Sequence, residues 1–336
     1  MDSTMSYRIG IVGAGGISRA HGNAIAQSNR ADIVAVCDVS QEAVEKYRGE
    51  FDVRVGYTDL DEMLNKENLD IAIICTWGCF HANLSNQIAK SQEVRAILCE
   101  KPITQTAAEC EEMVATAKTN NILLAEAFKF RHHPLHLKAK EILNSGTIGT
   151  LGNIRSTFCT GVPDERRKPE RNWRFNKEKG GGAVYDLGCY NIHHARFIAG
   201  ADPISVYATG EYGEEIEDTV STVFEFPNKV TAQLTFSFKL ASSQYFEISG
   251  TDGMLRTELA WNNENKPTTL EVQTRDGKET HEFEPVFQFQ NQIEHLCDCL
   301  DTGQAHRIPP ENSIGNMKTI DAINTSMRTG QVVSLG

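Results

Sequence analysis

The chain has 336 residues, of which 40% are hydrophobic and 23% charged, an ordinary composition for a soluble globular protein long enough for two domains. Its 33 basic and 45 acidic residues give a net charge of −12, which argues against nonspecific binding to nucleic acid or anionic membranes. No apolar run approaches the roughly 18 residues of a membrane span, the N-terminus lacks a signal-peptide pattern, and the nine cysteines lack paired CxxC spacing, so we expect a cytoplasmic protein with reduced thiols.

The first part of the chain alternates short apolar runs with helical patterns. Several runs are apolar throughout, as strands covered on both faces should be; the runs are RIGIVGAG, IVAVCD, DIAIICT, AILCEKP and ILLAEAF. Between them, Asp59 and Glu62 have the spacing of a helix start, and Thr106 and Glu109 repeat it. Strand–helix alternation predicts an α/β fold with a doubly wound parallel sheet over residues 1–127.

The first apolar run ends in a glycine-rich loop, GAGGIS. Gly13 permits a tight turn, and Gly15 lets the backbone approach a pyrophosphate. Ser18 takes the third position, where a small residue lets helix and strand pack closely. Because a predicted strand precedes the loop and a helical pattern follows it, dinucleotide binding is favoured over a plain glycine turn.

Asp38 ends the second predicted strand, 25 residues after Gly13. A carboxylate there can accept hydrogen bonds from both ribose hydroxyls of an adenosine and repels a 2′-phosphate. Val39 and Ser40 follow, with no arginine to receive that phosphate. The sequence therefore predicts NAD as the cofactor, with NADP less favoured.

The pattern changes after Phe128. TVFEFPNKVTAQLTFSFKL places alternate apolar residues on one face, as in a half-covered strand; they are Val230, Ala232, Leu234, Phe236 and Phe238. PNK and RDG lie where hairpin turns are expected, and FQNQIEHLCDCL and NSIGNMKTIDAINTSMRTG read as helices near the C-terminus. We predict a second, α+β domain over residues 128–336, built on an open-faced and largely antiparallel sheet.

Several short motifs occur in the order of one protein family. They are GIVGAGGIS, CTWGCFH, CEKPI, FRHHP, DLGCY and SGTDG, between residues 10 and about 253. With these motifs the chain resembles the Gfo/Idh/MocA oxidoreductases. The resemblance implies an N-terminal Rossmann domain and a C-terminal open-faced sheet often used for oligomerisation, hence a homo-oligomer, either dimer or tetramer. It also implies NAD(P)-dependent oxidation or reduction of a sugar, polyol or related cyclic alcohol.

The resemblance implies three catalytic residues. Lys101 of EKP matches the active-site lysine, Asp186 the family aspartate, and Tyr190 the acid/base position. Tyrosine at this last position is similar to glucose-fructose oxidoreductase and to dihydrodiol and aldose dehydrogenases, whereas inositol dehydrogenase-like members have histidine.

The resemblance also implies cofactor and substrate contacts. The implied cofactor-binding residues are Gly13, Gly15, Gly16, Ile17, Asp38, Thr76, His81, Glu100 and Lys101. The implied substrate-binding residues are Lys101, Trp173, Arg174, Asp186, Tyr190 and His193. The chain departs from the family at Trp77 and Gly78, where a Pro-Asn pair is common, and His193 stands where histidine-type members often carry an acidic residue.

The stretch GGGAVYDLGCYNIHHARFIAG, residues 180–200, predicts a helix that begins near Gly182. Residues four apart share a helix face, so Asp186 and Tyr190 should lie together on a polar face. The opposite, inward face carries Val184, Leu187, Ala195 and Ile198, which makes the helix amphipathic. The glycines are expected to let the backbone pass close to the substrate.

These residues suggest an acid/base mechanism. A free tyrosine titrates at about 10, too high for an efficient base at neutral pH, and a nearby ammonium lowers such a pKa. The hypothesis is that Tyr190 exchanges the hydroxyl proton while Lys101 binds the substrate oxygen and tunes Tyr190. Asp186 orients a neighbouring hydroxyl or the lysine.

The two adjacent histidines of this stretch are not predicted to bind a metal ion. Neighbours on a helix lie about 100° apart, so both cannot face one ion. With no HxxxH motif, no metal site is predicted. His193 has either a structural role or a substrate contact, and His194 is interpreted as structural.

The segment DERRKPERNWRFNKEK, residues 164–179, holds seven basic and four acidic residues. It is either a solvated loop or a substrate loop in which Arg174, beside Trp173, reaches the pocket. Its positive charge is compatible with an anionic substrate, such as a sugar phosphate or uronate. Two other functions stay open: an NAD-dependent glycosidase with a recycled cofactor, and a non-catalytic dinucleotide sensor.

Overall fold

The computed structural model describes residues 6–335. Its strands, in chain order, are β1 Tyr7–Val12, β2 Ala31–Cys37, β3 Val55–Tyr57, β4 Ile71–Ile74, β5 Ala96–Cys99, β6 Leu123–Glu126, β7 Leu151–Cys159, β8 Ser205–Tyr212, β9 Glu217–Glu225, β10 Thr231–Ser237, β11 Phe246–Gly250, β12 Gly253–Thr257, β13 Thr268–Thr274, β14 Gly277–Phe283 and β15 Val333–Ser334. Its α-helices are α1 Ser18–Ala26, α2 Gln41–Phe51, α3 Leu60–Lys66, α4 Gly78–Ser91, α5 Ala107–Thr119, α6 Pro134–Asn144, α7 Cys189–Ala199, α8 Gln288–Thr302 and α9 Pro310–Thr329.

The first of two compact units has the fold that the apolar runs predict. Its described residues form a six-stranded, fully parallel sheet in the order β3-β2-β1-β4-β5-β6, the order of a dinucleotide-binding Rossmann sheet. Strands β4 and β5 are buried along their whole length, as expected for strands covered on both faces. The short β3 was not predicted, because three residues give no periodic signal.

Both predicted helix starts in this unit are confirmed. The Asp59 carboxylate accepts a hydrogen bond of 2.8 Å from the Glu62 amide at the start of α3. Thr106 and Glu109 form a reciprocal capping box at the start of α5. Each bond satisfies an amide that the first turn of a helix leaves without a partner.

The second unit is not contiguous in sequence, which differs from the predicted domain of residues 128–336. Of the described residues, the first unit comprises residues 6–132 together with Phe287–Ile314, and the others form the second unit. Helix α8 belongs to the first unit because its apolar residues Phe289, Ile293 and Leu296 join the core beside β1. Arg30 also donates to Asp298 of α8 at 2.6 Å.

The second unit is built on a mixed, mostly antiparallel sheet, as predicted. Within the described residues it has nine strands in the order β14-β13-β12-β11-β7-β10-β9-β8-β15, and only the β10–β7 pair is parallel. The predicted apolar face is buried throughout: Val230, Ala232, Leu234, Phe236 and Phe238. PNK joins β9 to β10, and RDG turns β13 into β14. The alternate residues Gln233 and Thr235 lie on the opposite, polar face of the strand.

The helix predicted from residue 182 differs from expectation in two ways. Val184–Gly188 forms one π-helical turn before α7 begins at Cys189. The prediction of an amphipathic helix is wrong, because polar residues of α7 are buried like apolar ones. Asn191 donates to Ser156 of β7 at 2.8 Å, and Arg196 donates to Asp202 at 2.7 Å. The helix is buried, so its polar groups bond to protein rather than to solvent.

Across residues 6–335, no helix is both long and apolar enough to cross a membrane.

Candidate active site

The glycine-rich loop between β1 and α1 turns tightly at Gly13. Gly13 has φ +96°, and a Cβ there would lie 2.9 Å from the carbonyl carbon of Cys75. A Cβ on Gly15 would meet only the Cys75 oxygen at 4.0 Å, and one on Gly16 would meet nothing within 4 Å. Protein atoms therefore do not fill the space beside Gly15 and Gly16, and a ligand can approach this backbone closely.

Asp38 follows β2 and faces this loop. One carboxylate oxygen accepts a hydrogen bond of 2.8 Å from the Ala14 amide, and the other accepts one of 2.9 Å from the Ser40 amide. Asp38 is thereby fixed beside the glycine loop, where a carboxylate can receive ribose hydroxyls.

A cavity of about 420 Å³ opens beside Asp38 and the glycine loop. Its lining residues are Val12, Gly13, Gly15, Cys37, Asp38, Val39, Thr58, Leu60, Cys75, Thr76, Trp77, Phe80, Asn83 and Leu84. The size and the mostly apolar lining suit a small-molecule or cofactor site. The open glycine backbone and the Asp38 carboxylate at its edge fit the adenosine and pyrophosphate of a dinucleotide.

Two aromatic side chains form an exposed wall of this cavity. The rings of Trp77 and Phe80 stack with centroids 6.3 Å apart and an interplanar angle of 23°. They remain 39% and 48% exposed, which is unusual for side chains of this size.

Glu100 of the EKP motif makes a buried contact with a histidine that the sequence did not reveal. His21 of α1 contacts its carboxylate at 2.7 Å, and both side chains are buried. Burial alone would raise the pKa of Glu100, but the hydrogen bond and charge of His21 outweigh it and lower that pKa. The second carboxylate oxygen accepts from the Lys101 amide at 3.2 Å. Glu100 therefore anchors the backbone of Lys101 to α1.

His81 links the two loops at the carboxyl ends of β4 and β5. Its ring nitrogens lie 3.1 Å from the Thr76 carbonyl oxygen and 3.0 Å from the Pro102 carbonyl oxygen. Burial lowers the pKa of His81, although the backbone hydrogen bonds oppose this. A neutral ring donates through only one nitrogen, so His81 donates to one of these two carbonyl oxygens and lies against the other.

Asp186, in the second unit, is paired with Arg174. Nε of Arg174 donates to the Asp186 carboxylate at 2.8 Å, and the guanidinium lies 4.9 Å from the ring centre of Trp173. The structure thus brings together three of the predicted substrate-binding residues. Asp186 is nearly buried and Arg174 is partly exposed, so the pair lies at the edge of the unit's interior.

The three glycines before the helix pack against protein. The Gly182 amide donates to the Arg174 carbonyl at 2.9 Å, and the Asp186 amide donates to the Gly182 carbonyl at 2.9 Å. A Cβ on Gly181 would lie 2.5 Å from the Arg174 oxygen. Gly182 has φ +131°, which disfavours any residue with a side chain. The packing of the unit itself therefore accounts for the glycines that were expected to face the substrate.

Tyr190 lies on the first turn of α7 within an aromatic cluster. Its ring meets that of Phe158 edge to face at 5.5 Å and lies 6.1 Å from the ring of Trp261. These rings are buried and fix the plane of the tyrosine. Neither Phe158 nor Trp261 was singled out from the sequence, because a lone aromatic residue gives no motif.

The two adjacent histidines of α7 are both fully buried. The His194 ring packs against Phe246 at 4.5 Å and Trp261 at 5.4 Å, in keeping with its interpretation as structural. Over residues 6–335, no group of three or more His, Cys, Asp or Glu side chains is placed to hold a metal ion. The predicted role of His193 in substrate binding stays a prediction.

Ion pairs within the second unit neutralise part of the basic segment 164–179. Arg167 lies 3.4 Å from Asp218, and Lys168 lies 3.1 Å from Glu214. Together with the pairing of Arg174, these contacts reduce the positive charge available to a ligand. Most residues of the segment remain exposed or partly exposed, and several of its basic side chains are paired with carboxylates.

Comparisons with known proteins agree with this description. The profile described as "Oxidoreductase family, NAD-binding Rossmann fold" matches residues 7–128, and that of the GFO/IDH/MocA C-terminal domain matches residues 136–256. The chain belongs to the Gfo/Idh/MocA family, whose members are NAD(P)-dependent oxidoreductases. The resemblance seen in the sequence motifs is confirmed.

Relatives match over nearly the whole chain. A D-xylose 1-dehydrogenase (NADP(+)) of Haloferax volcanii is 28% identical over 97% of this chain and 99% of its own length. The trans-1,2-dihydrobenzene-1,2-diol dehydrogenase of Mus musculus is 29% identical over 89% of this chain and 90% of its own. The aldose-aldose oxidoreductase of Caulobacter crescentus, solved with glycerol, has the same fold with a TM-score of 0.90 at 22% identity, covering 98% of this chain and 100% of its own.

Proposed function

We propose that the chain is an NAD(P)-dependent dehydrogenase or reductase that acts on a secondary alcohol of a sugar, inositol or related cyclic polyol. The observation that carries the proposal is that Lys101, Asp186 and Tyr190 occur in a chain with a cavity of about 420 Å³ beside Asp38 and the glycine loop. A sensor that had lost catalysis would have no need of all three. Relatives named as sugar and dihydrodiol dehydrogenases support the same class of substrate.

In this proposal each residue has a separate task. The nicotinamide, when bound, accepts or supplies the hydride. Tyr190 takes or returns the hydroxyl proton at its phenolic oxygen, and the Lys101 ammonium binds the same substrate oxygen and favours the phenolate. Asp186, oriented by Arg174, accepts a hydrogen bond from a neighbouring hydroxyl. The buried rings around Tyr190 limit its motion, so the proton is exchanged in one orientation.

We propose NAD as the preferred cofactor. Among the described residues that line the cavity there is no lysine or arginine to receive a 2′-phosphate, and Asp38 would repel one. Val39, beside Asp38, is almost fully exposed and offers no charge. The relative named for NADP(+) makes this point worth direct measurement. The ratio of kcat/KM for NAD to that for NADP tests it, and a ratio below one would overturn the preference.

A spectrophotometric screen tests the proposed function. Formation of NADH or NADPH is followed across neutral sugars, inositols, uronates and sugar phosphates, with the Tyr190→Phe variant as the matched control. We expect turnover with a neutral sugar or polyol, because Asp186, Asp218 and Glu214 already pair with bases of segment 164–179. A higher kcat/KM for a phosphorylated sugar than for the neutral sugar would contradict the prediction of an uncharged substrate. Turnover unchanged in the control variant would contradict the role of Tyr190.

A further inference from the structure

Glu217, the first residue of β9, has a buried carboxylate that faces the start of the acid/base segment. Here the acid/base segment means residues 182–199. One carboxylate oxygen of Glu217 accepts a hydrogen bond of 2.9 Å from the Val184 amide. Val184 begins the π-helical turn that contains Asp186 and precedes Tyr190. The carboxylate therefore satisfies an amide that the first turn leaves without an intrahelical partner.

The fit between Glu217 and the segment is close. A Cβ on Gly182 would lie 2.5 Å from one Glu217 carboxylate oxygen and 3.2 Å from the other. No side chain can occupy this position without displacing the carboxylate. Together with the φ of +131°, this contact explains why a glycine stands at residue 182.

Backbone hydrogen bonds connect this contact to the predicted catalytic groups. The Gly182 carbonyl accepts from the Asp186 amide, and the Gly182 amide donates to the Arg174 carbonyl, both at 2.9 Å. Arg174 in turn donates to the Asp186 carboxylate at 2.8 Å. A shift of the backbone at Gly182 would therefore move Asp186 and its guanidinium partner together.

We propose that Glu217 is a positioning residue whose carboxylate holds the Gly182–Val184 backbone, and that gain or loss of its proton changes how firmly Asp186 and Tyr190 are placed. The inference rests on the proposed function, because it assigns Glu217 to the control of that same acid/base segment. It adds a residue that no sequence motif indicates.

The electrostatic surroundings place the titration of Glu217 in the neutral range. Burial raises the pKa of Glu217 to about 7, opposed by the hydrogen bond from Val184 and helped by the charge of Asp218. Asp218 lies next to it on β9 and 3.4 Å from Arg167. From β8, Tyr212 faces the same region, and its pKa is raised by burial and then by the charge of Glu217.

The charge of Glu217 strengthens its hold on the segment. An ionised carboxylate makes a stronger hydrogen bond to an amide than a protonated one does, by roughly a factor of two in energy. The negative charge is also favourable beside the amides at the start of a helical segment. Above the pKa the segment is therefore held firmly, and below it the hold is weaker.

The test compares pH profiles of kcat for the wild type and Glu217→Gln. The glutamine keeps an acceptor for Val184 but cannot ionise. We expect the wild-type kcat to fall roughly five-fold as pH drops through about 7, and the variant to lack this decline. Glu225→Gln, an exposed glutamate at the other end of β9, is the matched control and should retain it. An acid limb unchanged in Glu217→Gln would overturn the proposal.

A second variant separates positioning from titration. Glu217→Asp keeps an ionisable group but shortens it by one methylene, so the carboxylate no longer reaches Val184. We expect a lower kcat at every pH with KM for the cofactor unchanged. Wild-type kcat in Glu217→Asp would also overturn the proposal.

The thermal midpoint measured against pH gives a readout that needs no substrate. Burial of the charge disfavours the folded protein by more than the stronger hydrogen bond to Val184 favours it, so the folded pKa of Glu217 is raised. The stabilising contribution of Glu217 to the whole fold is therefore fully present below the unfolded pKa of about 4.3 and is lost as pH rises to about 7. The thermal midpoint of the wild type minus that of Glu217→Gln should therefore decrease between these two pH values. A wild type without activity would contradict the proposed function. An active wild type whose thermal midpoint differs from that of Glu217→Gln by the same amount at every pH would contradict this inference alone.

Discussion

The two units each have a glycine-rich stretch before a helix, and the glycines of the two stretches have different roles. In GAGGIS, a Cβ on Gly16 would meet nothing within 4 Å, so the space beside it is open to a ligand. In the GGG stretch, a Cβ on Gly181 would lie 2.5 Å from the Arg174 oxygen, and one on Gly182 would lie 2.5 Å from the Glu217 carboxylate. The first set makes room for a cofactor, and the second makes room for the protein itself. The sequence alone does not distinguish these two roles, because each is a glycine-rich stretch before a helix.

The largest expected effect is a loss of kcat from a substitution in the acid/base segment. Tyr190→Phe removes the phenolic proton but keeps the ring against Phe158 and Trp261. We expect kcat to fall by about 10²- to 10⁴-fold, the usual contribution of a positioned acid or base. Fluorescence titration with NADH should show unchanged cofactor affinity. Turnover near that of the wild type would move the role to His193 or His194.

Substitution of Asp38, beside the cavity, should change KM for the cofactor rather than kcat. Asp38→Ala removes the carboxylate that Ala14 and Ser40 hold beside the cavity. We expect KM for NAD to rise about 10- to 100-fold, from the loss of charged hydrogen bonds of about 1.5–3 kcal/mol. The kcat at saturating NAD should change little, and discrimination against NADP should weaken. Steady-state kinetics with both cofactors measure this, and an unchanged NAD/NADP ratio would contradict the role of Asp38.

Alanine at the two kinds of glycine tests the comparison directly. Gly181→Ala brings a Cβ against the backbone oxygens of Arg174 and Asn176, so we expect a loss of about 1–3 kcal/mol in the free energy of unfolding. Gly16→Ala meets no protein atom within 4 Å and should stay within about 0.5 kcal/mol of the wild type. Urea unfolding measures both. Equal losses of unfolding free energy in Gly181→Ala and Gly16→Ala would contradict the different roles given to the two glycine-rich stretches.

The smallest effect is expected at Arg174. Its ion pair with Asp186 is partly exposed, and such pairs contribute at most about 1 kcal/mol to stability. Arg174→Gln should leave the thermal midpoint nearly unchanged and raise KM for the sugar or polyol a few-fold, because Asp186 loses its orientation. Arg171→Gln, an exposed arginine in the same segment, serves as the control. A large loss of stability in Arg174→Gln would mark the residue as structural.

Local rules were enough for much of the first unit. The caps at Asp59 and Thr106 depend on residues three apart, and the buried parallel strands on short apolar runs. The turn at Gly13 and the position of Asp38 follow from a motif whose parts lie within one strand–helix–strand unit. The alternating face of β10 follows in the same way from a period of two.

The sequence by itself determined the family, the two sheets and the identities of Lys101, Asp186 and Tyr190 as candidates. Only the tertiary structure decided that α8 returns to the first unit and that α7 is buried on all sides. It also decided that His21 contacts Glu100 and that Glu217 accepts a hydrogen bond from Val184 at the start of the acid/base segment. Those contacts join residues 79 and 33 positions apart, and no periodicity or motif spacing specifies such pairs because they arise from packing between separate elements.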